Sequence, residues 1–179
     1  MEYVIAVDPG IRGCGVALFR GGVLVDCEYV RNPVKKGADF DAVVGAARAV
    51  DAWCFRSLEA IPNDVGWSTR VVLEFPQVYT ASKSKGDNND LLPLAAVDGA
   101  IAALLGCPAT RVAPRDWKGS MAHEAVEHRV ASRLDGDEMF VIDEAFGRAG
   151  KTLAHNVTDA VGIGLHAVGR FTPRKAIAR

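Results

Sequence analysis

The sequence predicts an α/β domain: a mixed five-stranded sheet, a three-stranded antiparallel meander plus two further strands, flanked by helices. Three observations carry this. Short apolar runs separated by glycine turns crowd the start of the chain. Two further apolar runs, Arg70 to Pro76 and Arg111 to Ala113, come later. Around them lie stretches with apolar residues at helical spacing.

Tyr3 to Val7 is the first run, and it ends in Asp8-Pro9-Gly10. Glycines follow at 13 and 15, so the chain can reverse tightly, because glycine tolerates positive φ. Val16 to Phe19 reads as the returning strand of a hairpin. Val23 to Val25 and Cys27 to Val30 read as the third strand, entered through Gly21-Gly22. An apolar strand that delivers an aspartate to its end sets one carboxylate at the edge of a sheet. A side chain at Gly10, Gly13 or Gly15 would crowd whatever sits against Asp8. The stretch therefore suits something small and charged, a metal ion or a phosphate; Asp8 as the cap of a turn is the alternative. Two nucleotide motifs are excluded. The glycines run G-x-x-G-x-G with a strand after them, not G-x-G-x-x-G with a helix, and there is no G-x-x-x-x-G-K-S/T.

A polar break from Pro33 to Gly37 leads to a helix over Phe40 to Ala60, with Val43, Val44, Ala47, Val50, Trp53, Cys54 and Leu58 as its packed stripe. The strand from Arg70 to Pro76 is apolar until Glu74, a second carboxylate at a strand end. A water-facing glutamate is the alternative there. Gln77 to Asn89 reads as a mobile basic loop, and Lys83 and Lys85 in it are where a polyanion would be held. Leu91 to Leu105 is an apolar helix whose small residues allow close packing on the sheet or on another subunit, and Gly106 ends it. Arg111 to Ala113 is an edge strand. After Pro114 to Gly119, Ser120 can cap a helix to about Leu134, with His123 and His128 on solvated faces. Asp135 to Glu144 reads as an acidic, solvated segment. The last helix runs from His155 to Val168, with Asn156 as its N-cap and Asp159 in its first turn, where dipole complementation is the alternative role for Asp159. Gly162 and Gly164 permit close approach to the sheet. One domain is expected over residues 1–170, followed by a basic tail over 171–179.

The chain has 179 residues, a length that suits one domain with a full core, and a net charge of -1. That charge leaves nucleic-acid binding to local patches. No apolar run is long enough to cross a membrane and no signal peptide opens the chain. Cys14, Cys27, Cys54 and Cys107 are scattered, without a C-x-x-C pair, and read as reduced thiols of a cytoplasmic protein, not a zinc site or a disulfide frame.

Three acids thus recur in order: Asp8 and Glu74 at strand ends and Asp159 at a helix start. Carboxylates converging in this way form a hard-oxygen site suited to magnesium or manganese. Two such ions can clamp the attacking and leaving oxygens of an in-line phosphoryl displacement.

The order of elements resembles the ribonuclease H-like fold, and the motifs resemble the RuvC-type Holliday-junction resolvases. Ile5 to Gly10 with Gly13 and Gly15 is similar to that family's opening motif. Leu73-Glu74, with the basic loop and the small-residue helix after it, is similar to the second. Pro114 to Lys118 resembles the segment before the family's DNA-facing helix, and Asp159-Ala160 resembles its closing motif. The resemblance implies a homodimeric, divalent-metal-dependent endonuclease that cuts branched DNA such as four-way junctions, of bacterial or bacteriophage origin. In that reading Asp8 bridges two Mg2+ or Mn2+ ions, and Glu74 and Asp159 each complete one side. Arg12, Lys83, Lys85, Arg115 and Lys118 hold the DNA backbone. The family usually has an aspartate or histidine three residues before the last aspartate. Asn156 stands there instead, with His155 just before it, and either can be the fourth ligand. The competing readings are a YqgF-type RNA-processing nuclease, a catalytically silent DNA-binding relative, and an actin-like or sugar-kinase phosphate-binding protein. The last would need a second, duplicated domain.

Overall fold

β1 (Glu2–Asp8) forms the middle of a five-stranded sheet in the computed structural model, which describes residues 1–34, 40–60, 68–77 and 91–171. β2 (Gly13–Arg20) returns antiparallel to it, and β3 (Val23–Arg31) runs antiparallel to β2, with a register shift between Leu18 and Phe19. On the other side, β4 (Ser68–Glu74) lies parallel to β1, and β5 (Ala109–Val112) lies parallel to β4. The order is β3-β2-β1-β4-β5, the meander plus two strands that the sequence predicts.

Strand side chains alternate between faces, and the sheet separates two apolar cores. Tyr3, Ile5, Val7, Val16 and Leu18 pack against α1 (Phe40–Glu59) and α2 (Leu91–Leu105). Val4, Ala6, Ala17 and Phe19 pack against α4 (His123–Ala131), α5 (Gly136–Ala149) and α6 (Ala154–Ala167), with Trp117 from the short α3 (Pro114–Trp117). α6 reaches the sheet closely because Gly164 lies on Phe19, where a Cβ would enter the ring. Gly162, one half-turn earlier, does the same for the ring of Trp117. Among the described residues, no helix is long and apolar enough to cross a membrane.

The second half of the chain departs from expectation at three places. Ser120 does not cap a helix: α4 begins at His123 with Ala122 before it. The acidic stretch is a helix, not a loose segment. Asp135 accepts from the Glu138 amide at 2.9 Å, and the Glu138 carboxylate accepts from the Asp135 amide at 3.0 Å, a reciprocal cap that starts α5. Asp135, Asp137, Asp143 and Glu144 do face solvent, but Glu138 is buried. Arg170, the last residue of the expected domain, reaches back to it. Its guanidinium pairs both Glu138 oxygens at 2.6 and 2.7 Å, and also donates to the carbonyls of Gly22 and Arg133. Phe171, the first residue past the expected domain limit, is fully buried against Trp117.

Candidate active site

Asp8 is the last residue of β1 and Glu74 the last of β4. The two strands are parallel neighbours with Val7 opposite Leu73, so both carboxylates leave the sheet at the same edge. In open α/β sheets that carboxyl end is where ligands are bound. Asp8 also faces Gly15 across the hairpin. A Cβ at Gly15 would strike the backbone carbonyl of Asn156. The space cleared by this glycine is thus filled by the first turn of α6, not by a ligand, which corrects the expectation from sequence. The consequence for the site is direct. Docking that turn on Gly15 carries Asp159 to the same edge of the sheet as Asp8 and Glu74.

Lys118, directly after α3, places its ammonium between two of the acids. Its Nζ donates to Asp159 Oδ2 at 2.9 Å and lies 3.4 Å from Glu74 Oε2. Trp117 donates its indole N–H to the same Glu74 oxygen at 2.6 Å, and the Lys118 ammonium rests 4.7 Å from the centroid of that ring. Burial raises the Asp8 carboxyl well above its usual range, and the nearby charges of Glu74 and Asp159 raise it further, with only Lys118 opposing. Burial also raises Glu74, held in check by Lys118 and the Trp117 hydrogen bond. For Lys118, burial pulls the ammonium down, but Glu74 and Asp159 outweigh it and leave it above its ordinary value. One lysine is thus set among more negative charge than it can neutralise.

The fourth-ligand candidates separate. Asn156 is the third residue of α6, inside the helix and not its N-cap, half-buried, with its amide donating to Leu153 O at 3.3 Å. Being three residues before Asp159, it shares a helix face with it. His155 is exposed, with its ring edge-on to His123 at 5.7 Å between centroids, and is not gathered with the acids. Of the cations expected to hold DNA, Lys118 is instead engaged by the acids. Arg12 is exposed in the β1–β2 turn, and Arg115 is exposed on α3 beside Asp116. Lys83 and Lys85 lie outside the described residues.

Sequence reading missed two participants. Trp117 sits in a segment singled out for its basic residues, and nothing in one dimension points its indole at Glu74. Asp98 is the other. It is the sole charged residue of α2 and is 4% exposed. Neither of its carboxylate oxygens has a hydrogen-bond partner. Burial and then the charge of Glu74 push its carboxyl up to about 8. A lone aspartate in an otherwise apolar helix was the available signal.

The donor chemistry, carboxylate oxygens gathered around a single ammonium, is of the kind that hard divalent cations take. Among the described residues, no group of three or more His, Cys, Asp or Glu side chains is drawn together closely enough to hold a metal ion as it stands. Lys118 holds the place between Glu74 and Asp159.

The sheet order and its flanking helices make this a ribonuclease H-like fold. Within that class, the chain is similar to RuvC of Thermus thermophilus in complex with a Holliday junction substrate. The TM-score is 0.51 at 17% identity, covering 97% of this chain and 99% of that one. A second Thermus thermophilus RuvC structure gives 0.51 at 17% identity, covering 96% and 99%. Ydc2, the yeast mitochondrial Holliday junction resolvase, gives 0.53 at 11% identity, covering 94% of this chain and 79% of that one. Identities this low establish a common fold, and function must be argued from the site. No family model matches the sequence, and comparison with curated proteins returned no match.

Proposed function

We propose that the chain is a divalent-metal-dependent, structure-selective DNA endonuclease that resolves Holliday junctions or related branched DNA by phosphodiester hydrolysis. The observation that carries this is the convergence of Asp8, Glu74 and Asp159 at one edge of the sheet, in a fold also found in junction resolvases. Magnesium or manganese, two ions per site, would supply the positive charge that stabilises the attacking and leaving oxygens at phosphorus. Asp8, under the influence of both other acids, is the group suited to be shared between the ions. Glu74 is oriented by the Trp117 indole, so its carboxylate is presented in one pose. Lys118 compensates the acids before loading. With a cation held by Glu74 and Asp159, its ammonium would be free to neutralise a phosphate oxygen beside them. Arg12 and Arg115, both exposed, would follow the backbone by charge with little reading of bases.

A four-way junction offers two symmetric scissile strands, so a two-fold dimer would supply two coupled sites. The outward face of α2 is the surface we assign to it. Leu92, Ala96, Gly99 and Ala103 recur at the spacing of one helix face and are exposed, Leu92 by 66%. Sedimentation at micromolar concentration should then give about twice the 19.1 kDa chain mass.

The test of the activity is incubation with a four-way junction, linear duplex, structured RNA and ATP, each with and without magnesium. Paired nicks in the junction that require magnesium are the expected result. Cleavage confined to RNA would move the assignment to an RNA-processing nuclease. ATP hydrolysis without nicking would remove the nuclease reading.

A further inference from the structure

Asp98 has no structural reason to be an acid. It lies between Val97 and Gly99 in α2, on the face that buries Val97 and Ile101 against the sheet. An apolar residue would pack there as its neighbours do. A carboxylate stripped of water without a hydrogen-bond partner is instead a costly group for any fold to hold. Other buried acids show what compensation looks like: Glu138 has an arginine and two backbone amides. Asp98 has none of these, and both its oxygens are orphaned. Its surroundings are the reverse of compensating. Its charge is felt by Asp8, and the charge of Glu74 is felt by it. A fourth carboxylate, this one buried, therefore approaches the strand-end acids from the α1/α2 side of the sheet, where Val97 and Ile101 pack with Val7 and Leu73, while Asp159 approaches from the α6 side.

We propose that Asp98 is a ligand for a divalent cation, magnesium or manganese, that it shares with Glu74, giving the centre carboxylates from β1, β4, α6 and α2. The inference rests on the metal-dependent reading given above and adds to it the residue that completes the site where Asn156 offers only a neutral amide. A cation seated between Glu74 and Asp98 satisfies both orphaned oxygens and offsets the repulsion between the two acids.

The test is calorimetric titration of the chelator-treated protein with manganese, for the wild type, Asp98→Asn, Asp98→Glu and Asp8→Asn. Thermal midpoints are recorded with and without the metal. Asp98→Asn should weaken manganese binding by at least about tenfold, the size of effect a lost metal contact produces. Its metal-free midpoint should stay level or rise, because Asp98 has no hydrogen-bond partner to lose and the substitution removes an ionisable group that burial disfavours. Asp98→Glu, which keeps the carboxylate, should recover part of the affinity. Wild-type affinity in Asp98→Asn alongside lost affinity in Asp8→Asn would overturn this proposal and leave the metal centre standing. No manganese binding by the wild type would overturn both. Should Asp98→Asn fail to fold, Asp98→Glu still decides: a well-folded variant whose affinity and manganese-induced midpoint shift are identical to the wild type's speaks against a ligand whose reach has changed by a methylene.

Discussion

Two sets of acids lie in or against this sheet, and they are treated in opposite ways. Glu138 is almost wholly enclosed and fully answered. Arg170 pairs both its oxygens, and the Leu24 and Asp135 amides donate to them. Burial works against its charge, but these hydrogen bonds win and hold its carboxyl at about 2. At the sheet edge Asp8, Glu74 and Asp98 are all raised above their ordinary range, and one lysine serves the whole group. An acid supplied with its own partners belongs to the architecture. Acids left with a deficit of positive charge are what the proposed cation site calls for, and that contrast is the ground on which the proposal stands.

The contrast can be broken in several places. Asp8→Asn should bring junction cleavage to background while junction binding persists, because a metal ligand is lost and no phosphate contact is. Nicking assays beside a gel-shift titration check this, and full nicking would sink the metal-nuclease reading. Arg170→Ala should do the opposite. It leaves Glu138 buried and unpaired, at a cost of about 3–5 kcal/mol in urea denaturation, with no direct effect on metal binding.

Acid titration sharpens the same pair. The folded Glu138 carboxyl lies at about 2, below its ordinary value of 4.5. Its contribution is therefore complete above about pH 4.5 and disappears as pH falls toward 2, up to about 3 kcal/mol in all. Stability measured across that window should fall steeply in the wild type and less so in Glu138→Gln. Trp117→Phe keeps an aromatic ring in the core but removes the donor to Glu74. A loss of about 1.5–3 kcal/mol of that charged hydrogen bond should appear as a changed magnesium requirement and pH profile, more than as a changed melting point. The smallest effects separate the two residues at the start of α6. Asn156→Asp should lower the magnesium concentration needed for half-maximal cleavage, whereas His155→Ala should leave it unchanged, because that ring faces His123.

The strand-end acids were legible because a strand is a one-dimensional pattern: an apolar run that ends in Asp8 or Glu74 states its own geometry. Sheet, meander and the limits of α2 followed from the same periodicities. The partners of those acids were not legible. Lys118 meets Asp159 across 41 residues of chain, and a basic residue near a DNA-binding motif reads as a phosphate contact until the fold turns it inward. Asp98 was absorbed into a helix read for its small residues. The acidic stretch was judged by its charge count and not by its phase. Glu138, Ile142, Ala145 and Ala149 share one helix face, and that face is the buried one. Asn156 was taken for a cap by residue type, but the helix had begun two residues earlier at Ala154.

Lys118 has a further bearing on how such a protein would exist between encounters with the proposed metal. A countercharge carried on the chain cannot be diluted, dialysed or chelated, since its local concentration is fixed by a covalent tether. Folding therefore does not have to wait for an ion, unlike that of small domains whose metal is the core. A strong chelator should silence the protein without unfolding it. The same tether makes every arriving cation a competitor, so the threshold at which the site responds is written into the chain as well as into the surrounding solution.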